Sequence, residues 1–138
     1  MIQIDISQET GNVPVTVIRV AGQLDGQTYQ ELIRSAQEAY QNGAKNFLLD
    51  LSELNYISSA GLVALHTIAL LMRGEEIPDP EQGWAALKSV DRSRTSGLQK
   101  HVKLLNPAAQ VTNVLDMVGY TAIFEIFTDR KKALDSYQ

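Results

Sequence analysis

The stretch from Gly61 to Met72 is apolar nearly all round if wound as a helix: Leu62, Val63, Leu65, Ile68, Leu70, Leu71 and Met72 spread over every face instead of lining one stripe. A helix of that kind is buried on more than one side. It is about half the ~20 residues that a membrane-crossing helix needs, and it contains His66 and Thr67. The sequence therefore reads it as a core helix wedged between a sheet and a neighbouring helix. Just upstream, Phe47-Leu48-Leu49-Asp50-Leu51 is a short apolar run, as expected for a central strand covered on both faces.

The other segments arrange themselves around this pair. Residues 2–6 and 13–20 alternate as two strands, and Gly11-Asn12 between them predicts an antiparallel hairpin. Thr28 followed by Glu31 is a capping-box signature, and Leu32, Ile33, Ala36 and Tyr40 continue at helical spacing, so a helix is predicted over about 28–42. Val102 to Leu105 predicts another strand. Asn106-Pro107 suggests a cap and a first-turn proline for a helix that ends at Gly119. Residues 123–127 predict a further strand, and Asp129 caps a last short helix through about Ser136. Single helices between later strands argue right-handed crossovers. The expected fold is α/β: a mixed sheet of about five strands covered by about four helices in a single domain, 1–138. The segment 74–97, rich in charge and proline, reads as an insertion loop after the second helix.

Composition narrows the function. The 12 Lys and Arg against 16 Asp and Glu give a net charge of −4, which disfavours a phosphate-backbone partner, so direct nucleic-acid binding is not expected. The chain has no cysteine, which rules out a disulfide framework, a thiol nucleophile and thiolate metal sites. The alternating start, Met1-Ile2-Gln3-Ile4-Asp5-Ile6, lacks the regions of a signal peptide. A cytoplasmic location without membrane attachment is the expectation.

Two segments carry a family resemblance. Ala21-Gly22-Gln23-Leu24-Asp25 is similar to the G-x-L-D that follows the second strand of STAS domains, and Leu49-Asp50-Leu51-Ser52 with Tyr56-Ile57-Ser58-Ser59-Ala60-Gly61-Leu62 is similar to their strand, spacer and helix start. Leu105-Asn106-Pro107, Val118-Gly119-Tyr120 and Phe124-Glu125-Ile126-Phe127 also resemble the family's closing pattern. The chain thus resembles the anti-sigma-factor antagonist type of STAS domain over residues 1–73 and 98–136. The resemblance implies partner switching in bacterial signalling and transcriptional regulation. The unphosphorylated antagonist binds an anti-sigma factor that is also a serine kinase with a histidine-kinase-like ATPase fold. Phosphorylation of one serine ends that complex, and a metal-dependent serine phosphatase restores it. Aligned on Gly61, the acceptor falls on Ser59, with Ser58 as second choice. The implied partner surface is Asp25, Ser58, Ser59, Ala60 and Gly61. Two departures stand out: Ser58 where these antagonists commonly have Asp, and the 74–97 insertion.

The chemistry of Ser59 agrees with such a role. A serine beginning a helix lies beside unpaired N–H groups and the positive end of the helix dipole, which accept a phosphate without unfolding. Serine is equally a preferred N-cap, so Ser58 as cap with Ser59 outward, or the reverse, are both consistent with the pattern. Asp25 either caps its turn or shapes an acidic surface beside the serines. Trp84 and Leu87 of the insertion are expected to fold over the outer flank of the apolar helix, while Arg92 and Arg94 read as solvated loop residues. His66 is seven residues from Ser59, about 10 Å along a helix, too far to act as its base. Neither G-x-S-x-G nor a P-loop occurs, and two separated histidines make a poor zinc set. No enzymatic activity and no cofactor are expected. Two rivals remain: a scaffold or sensor subunit of a larger signalling complex, and a small-ligand-binding STAS domain. Homodimerisation is left open.

Overall fold

A computed structural model describes residues 2–73 and 99–137. The insertion 74–97, with Trp84, Leu87, Arg92 and Arg94, lies outside the described residues. The elements run β1 (Ile2–Thr10), β2 (Pro14–Leu24), α1 (Tyr29–Gln41), β3 (Phe47–Asp50), β4 (Leu54–Ile57), α2 (Ser59–Met72), β5 (Val102–Leu105), α3 (Ala109–Met117), a 3-10 turn at Tyr120–Ala122, β6 (Ile126–Phe127) and α4 (Arg130–Asp135). The main sheet path is β1-β2-β3-β5-β6, with β4 paired to β2. Only β1 is antiparallel to its neighbour.

Pleating sorts the core into two layers. Ile18 and Val20 of β2, Phe47 and Leu49 of β3 and Val102 and Leu104 of β5 face α1, α2 and α3 in the larger cluster. Val15, Val17, Leu48 and Leu105 face the other way, under Ala133 and Tyr137. β3 is buried on both faces, as its uninterrupted apolar run predicts. α2 carries buried side chains from Leu62 through Leu70 and again at Met72, so a helix apolar all round is buried nearly all round.

On the second face a lysine is buried with the chain's end. Lys103 Nζ donates to Ser136 O at 3.2 Å and Ser136 Oγ at 2.9 Å and lies 3.4 Å from Glu125 Oε1, over the rings of Tyr137 and Phe127. The Tyr137 hydroxyl donates to the Phe47 carbonyl. Burial pushes the Tyr137 phenol above its usual range, and Glu125 adds to the shift while a hydrogen bond with the Lys103 backbone opposes it.

Several local expectations need correction. The hairpin strands run on to Thr10 and Leu24, because β1 pairs with β2 from Pro14 to Gly22 and β4 takes up β2 from Gly22 to Leu24. β4 was absent from the predicted order; only Leu54 and Ile57 of its four residues are buried, too short an alternation to read. The capping box at Thr28 does not form. Its hydroxyl donates to Gln23 O at 2.8 Å and accepts from Asp25 N–H at 2.9 Å, which leaves no side-chain cap on α1. Asn106 is not a cap either. It adopts φ 50° and its N–H donates to Phe127 O at 2.6 Å, extending the strand pairing and delaying α3 to Ala109. The predicted strand at 123–127 shrinks to Ile126–Phe127 because Ile123 and Phe124 turn into the core.

Candidate functional site

The site is built where β2 and β4 end together. Leu24 pairs with Ile57, so Asp25 and Ser58, the next residues, leave the same sheet edge side by side. The Ser58 N–H donates to Leu24 O at 2.9 Å. β2 changes partner from β3, which it leaves after Arg19, to β4, which it joins at Gly22; the β4 pairing shifts register between Gly22 and Gln23, and Gly22 takes φ 103° there, a conformation that glycine adopts without a Cβ penalty.

Ser58 and Ser59 divide the two serine roles. Ser58 is the N-cap, extended at φ −101° and ψ −179°, and its side chain accepts from the Gly61 N–H at 3.4 Å. Ser59 is the first helical residue, exposed to solvent, and its hydroxyl makes no hydrogen bond to another described residue. α2 is held at this depth by a close approach: a Cβ on Gly61 would lie 2.6 Å from Ile57 Cγ1 and 2.9 Å from Leu24 O. Glycine lets the helix start lie on the strand ends. One turn on, the Tyr120 hydroxyl donates to Leu62 O at 2.8 Å.

Asp25 caps its own turn. Its Oδ1 accepts from the Gln27 N–H at 2.9 Å and lies 3.2 Å from Thr28 Oγ1, whose hydrogen goes to Gln23 O at 2.8 Å. The structure therefore brings together Asp25, Ser58, Ser59, Ala60 and Gly61, the residues the motifs single out. It adds Tyr56, 51% exposed on β4, and Gln110 of α3, whose Nε2 donates to Asn55 O at 3.3 Å. Tyr56 was visible only as part of a motif; its exposure follows from a strand the sequence did not reveal. His66 is buried in α2. His101 lies at the opposite end of the strands from Ser59, with Nδ1 2.9 Å from Asn46 Oδ1. Among the described residues no group of three or more His, Cys, Asp or Glu can hold a metal ion, and no helix is long and apolar enough to cross a membrane.

The STAS domain family model matches residues 4–77, more than half of the chain. The chain belongs to the STAS domain family. Of solved structures, an anti-sigma factor antagonist from Mycobacterium paratuberculosis is 16% identical over 97% of this chain and 92% of its own, with a TM-score of 0.68. The antagonist SpoIIAA in its unphosphorylated form is 17% identical over 96% of each chain, with a TM-score of 0.54. The Bacillus cell fate determinant SpoIIAA in its phosphorylated form is 16% identical over 96% of this chain and 97% of its own, with a TM-score of 0.55. At such identity the likeness is one of fold: this STAS chain has the SpoIIAA-like α/β architecture. No curated protein matches it in sequence.

A concavity lies away from the serines. A groove of about 740 Å³ opens between β1 and the end of α1, lined by Ile6, Val13, Ala39 and Ala44 and by polar residues that include Glu38, Lys45, Asn46 and His101.

Proposed function

We propose that this STAS protein is an anti-sigma-factor antagonist controlled by phosphorylation of Ser59. Unphosphorylated, it binds an anti-sigma factor that is also a serine kinase with a histidine-kinase-like ATPase fold; phosphorylated, it lets go; a metal-dependent serine phosphatase resets it. The role is one of binding in transcriptional regulation, carried out in the cytoplasm without catalysis by this chain. The partner surface comprises Asp25, Ser58, Ser59, Ala60 and Gly61, with Tyr56 at its side.

One observation carries this reading: Ser58 takes the capping role, which frees the Ser59 hydroxyl at the helix start. Family membership and the antagonists that share the fold support it, one of them solved both without and with phosphate. Energetics favour a switch at an interface over a switch in the fold. The helix N-terminus stabilises a phosphate by at most about 2 kcal/mol. Against a fitted partner, a new charge of about −1.5 to −2 must be desolvated. An unpaired charge costs about 2–5 kcal/mol there, or roughly 30- to several-thousand-fold in affinity. Ser58 in the place where such antagonists commonly have Asp removes one negative charge beside the acceptor, so the cognate kinase reads a less acidic approach.

Affinity capture from the native cytoplasm with unmodified and Ser59→Asp bait tests the proposal. Retention of an ATPase-type kinase by the unmodified bait alone is the expected result. Identical partners for both baits, or none, would refute it. The groove beside His101 gives the ligand-binding reading a specific footing, and a reproducible thermal shift with a small metabolite would favour it.

A further inference from the structure

β1 is the end strand of the sheet, and among the described residues β2 is its sole strand neighbour. The pairing of β2 fixes which backbone groups of β1 are open. The Thr16 N–H donates to Asn46 O, on the β3 side, at 2.9 Å. In a strand the N–H and C=O of one residue point to the same side and alternate along the chain. Even-numbered residues of β2 therefore face β3, and odd-numbered ones face β1. Across the pairs Gln3 with Ala21, Asp5 with Arg19, Ser7 with Val17 and Glu9 with Val15, the odd residues of β1 bond to β2. Ile2, Ile4, Ile6, Gln8 and Thr10 present their N–H and C=O groups to the open edge.

Sheet edges are normally blunted by lysine, proline, a bulge or an uncompensated charge. β1 has no lysine and no proline, and its register with β2 is unbroken over all nine residues. Both of its carboxylates are neutralised within the chain, Asp5 by Arg19 at 2.8 Å and Glu9 by Arg130 at 2.9 Å. On its helix-side face Ile2 and Ile4 pack against the core, whereas Ile6 is left 46% exposed.

We propose that β1 is a dimerisation strand, which pairs antiparallel with β1 of a second copy about a two-fold axis at Ile6 and joins the two sheets into one. The residue pattern selects this register. Centred on Ile6, every residue from Ile2 to Thr10 gains a partner, and the pairs facing the new ladder are those with outward backbone groups: Ile6 on the second copy's Ile6, Ile4 on its Gln8, Ile2 on its Thr10. Asp5 falls opposite the second copy's Ser7 and Glu9 opposite its Gln3, so each carboxylate meets a hydrogen-bond donor. Moving the axis one residue sets Asp5 against Asp5, or Asp5 against Glu9, and like charges directly opposite destabilise a pair. The two Ile6 side chains meet on the helix-side face, covering the apolar surface that the monomer leaves in water. One strand pair is small beside a standard interface of roughly 800 Å² per partner, so the dimer depends on concentration.

Sedimentation velocity of the full chain over a wide concentration range tests this. The expected result is a coefficient that rises with concentration in the wild type and stays at the monomer value for Ile6→Lys, which sets two like charges on the axis, and for Gln8→Pro, which removes an outward N–H along with the side-chain acceptor of Thr16 Oγ1. Circular dichroism confirms that both variants are folded. Since the chain has no cysteine, Ile6→Cys should cross-link to a dimer with a short bis-maleimide, and Lys131→Cys on α4 should not. A wild type that stays monomeric throughout, a dimer that survives either β1 variant, or cross-linking no better at position 6 than at 131 overturns the proposal.

Discussion

The backbone of Gly61 lies so close to Leu24 that a Cβ placed on it would sit 2.9 Å from the Leu24 carbonyl oxygen. That oxygen also accepts the Ser58 N–H, so one carbonyl sets both the turn before α2 and the depth of its first residues. Gly61→Ala is therefore expected to destabilise by about 1–3 kcal/mol, since helix and strand end must part to admit a methyl group. Urea unfolding measures it, and an unchanged midpoint would show that the approach is looser than the geometry indicates.

The two serines separate by the same kind of measurement. Ser58→Ala removes the α2 cap and should cost about 1 kcal/mol, or about 3–4 °C in Tm for a chain of this size. Ser59→Ala should stay within about 0.5 kcal/mol of wild type, as an exposed residue without a side-chain partner does. Equal losses at both positions would contradict the division of roles.

Phosphorylation at Ser59 should raise Tm by no more than about 6–8 °C, because the helix dipole offers at most about 2 kcal/mol. In the proposed role it should weaken partner binding by roughly 30-fold or more. Thermal unfolding of the two forms gives the first number and isothermal titration of a purified kinase partner gives the second, and a phosphoprotein that binds equally well excludes the switch.

Tyr137 predicts an alkaline limit to stability. Its phenol, raised above the ordinary tyrosine value of about 10 chiefly by burial, holds its proton in the folded chain at a pH where the unfolded chain has lost it. The folded state then binds more protons, so the stability contribution is complete below about pH 10 and falls above it by up to ~1.4 kcal/mol per pH unit. Tyr137→Phe should lose about 1–3 kcal/mol at neutral pH, where the Phe47 carbonyl loses its donor, yet decline less steeply between pH 10 and 11. Parallel slopes for the two proteins would rule out Tyr137 as the source.

How legible the molecule is from sequence depends on whether a signal is local. α2 could be read from its residues because no other arrangement hides seven large apolar side chains pointing in all directions. β3 was equally clear, since a run apolar on both faces has one use in a layered fold. Asp129 was read correctly as a cap because its acceptors and donors are neighbours: its Oδ1 accepts from Lys131 and Lys132 N–H groups. Thr28 and Asn106 carried equally good local signals and were overruled. A strand carbonyl at Gln23 and a strand end at Phe127 offered their groups better partners from elsewhere in the fold.

The sequence by itself thus determined the α/β class, the buried helix and the serine pair at its start, because burial and helix initiation are decided by residue type within a turn or two. Only the tertiary structure decided that β4 exists, that Ser58 caps while Ser59 faces solvent, and that β1 stands at the edge with Ile6 uncovered. The strand order that makes β4 and leaves β1 outermost, and the Leu24 carbonyl that holds the Ser58 N–H, are matters of pairing between distant segments, and hydrogen bonds between strands are chosen by the packing of the whole sheet.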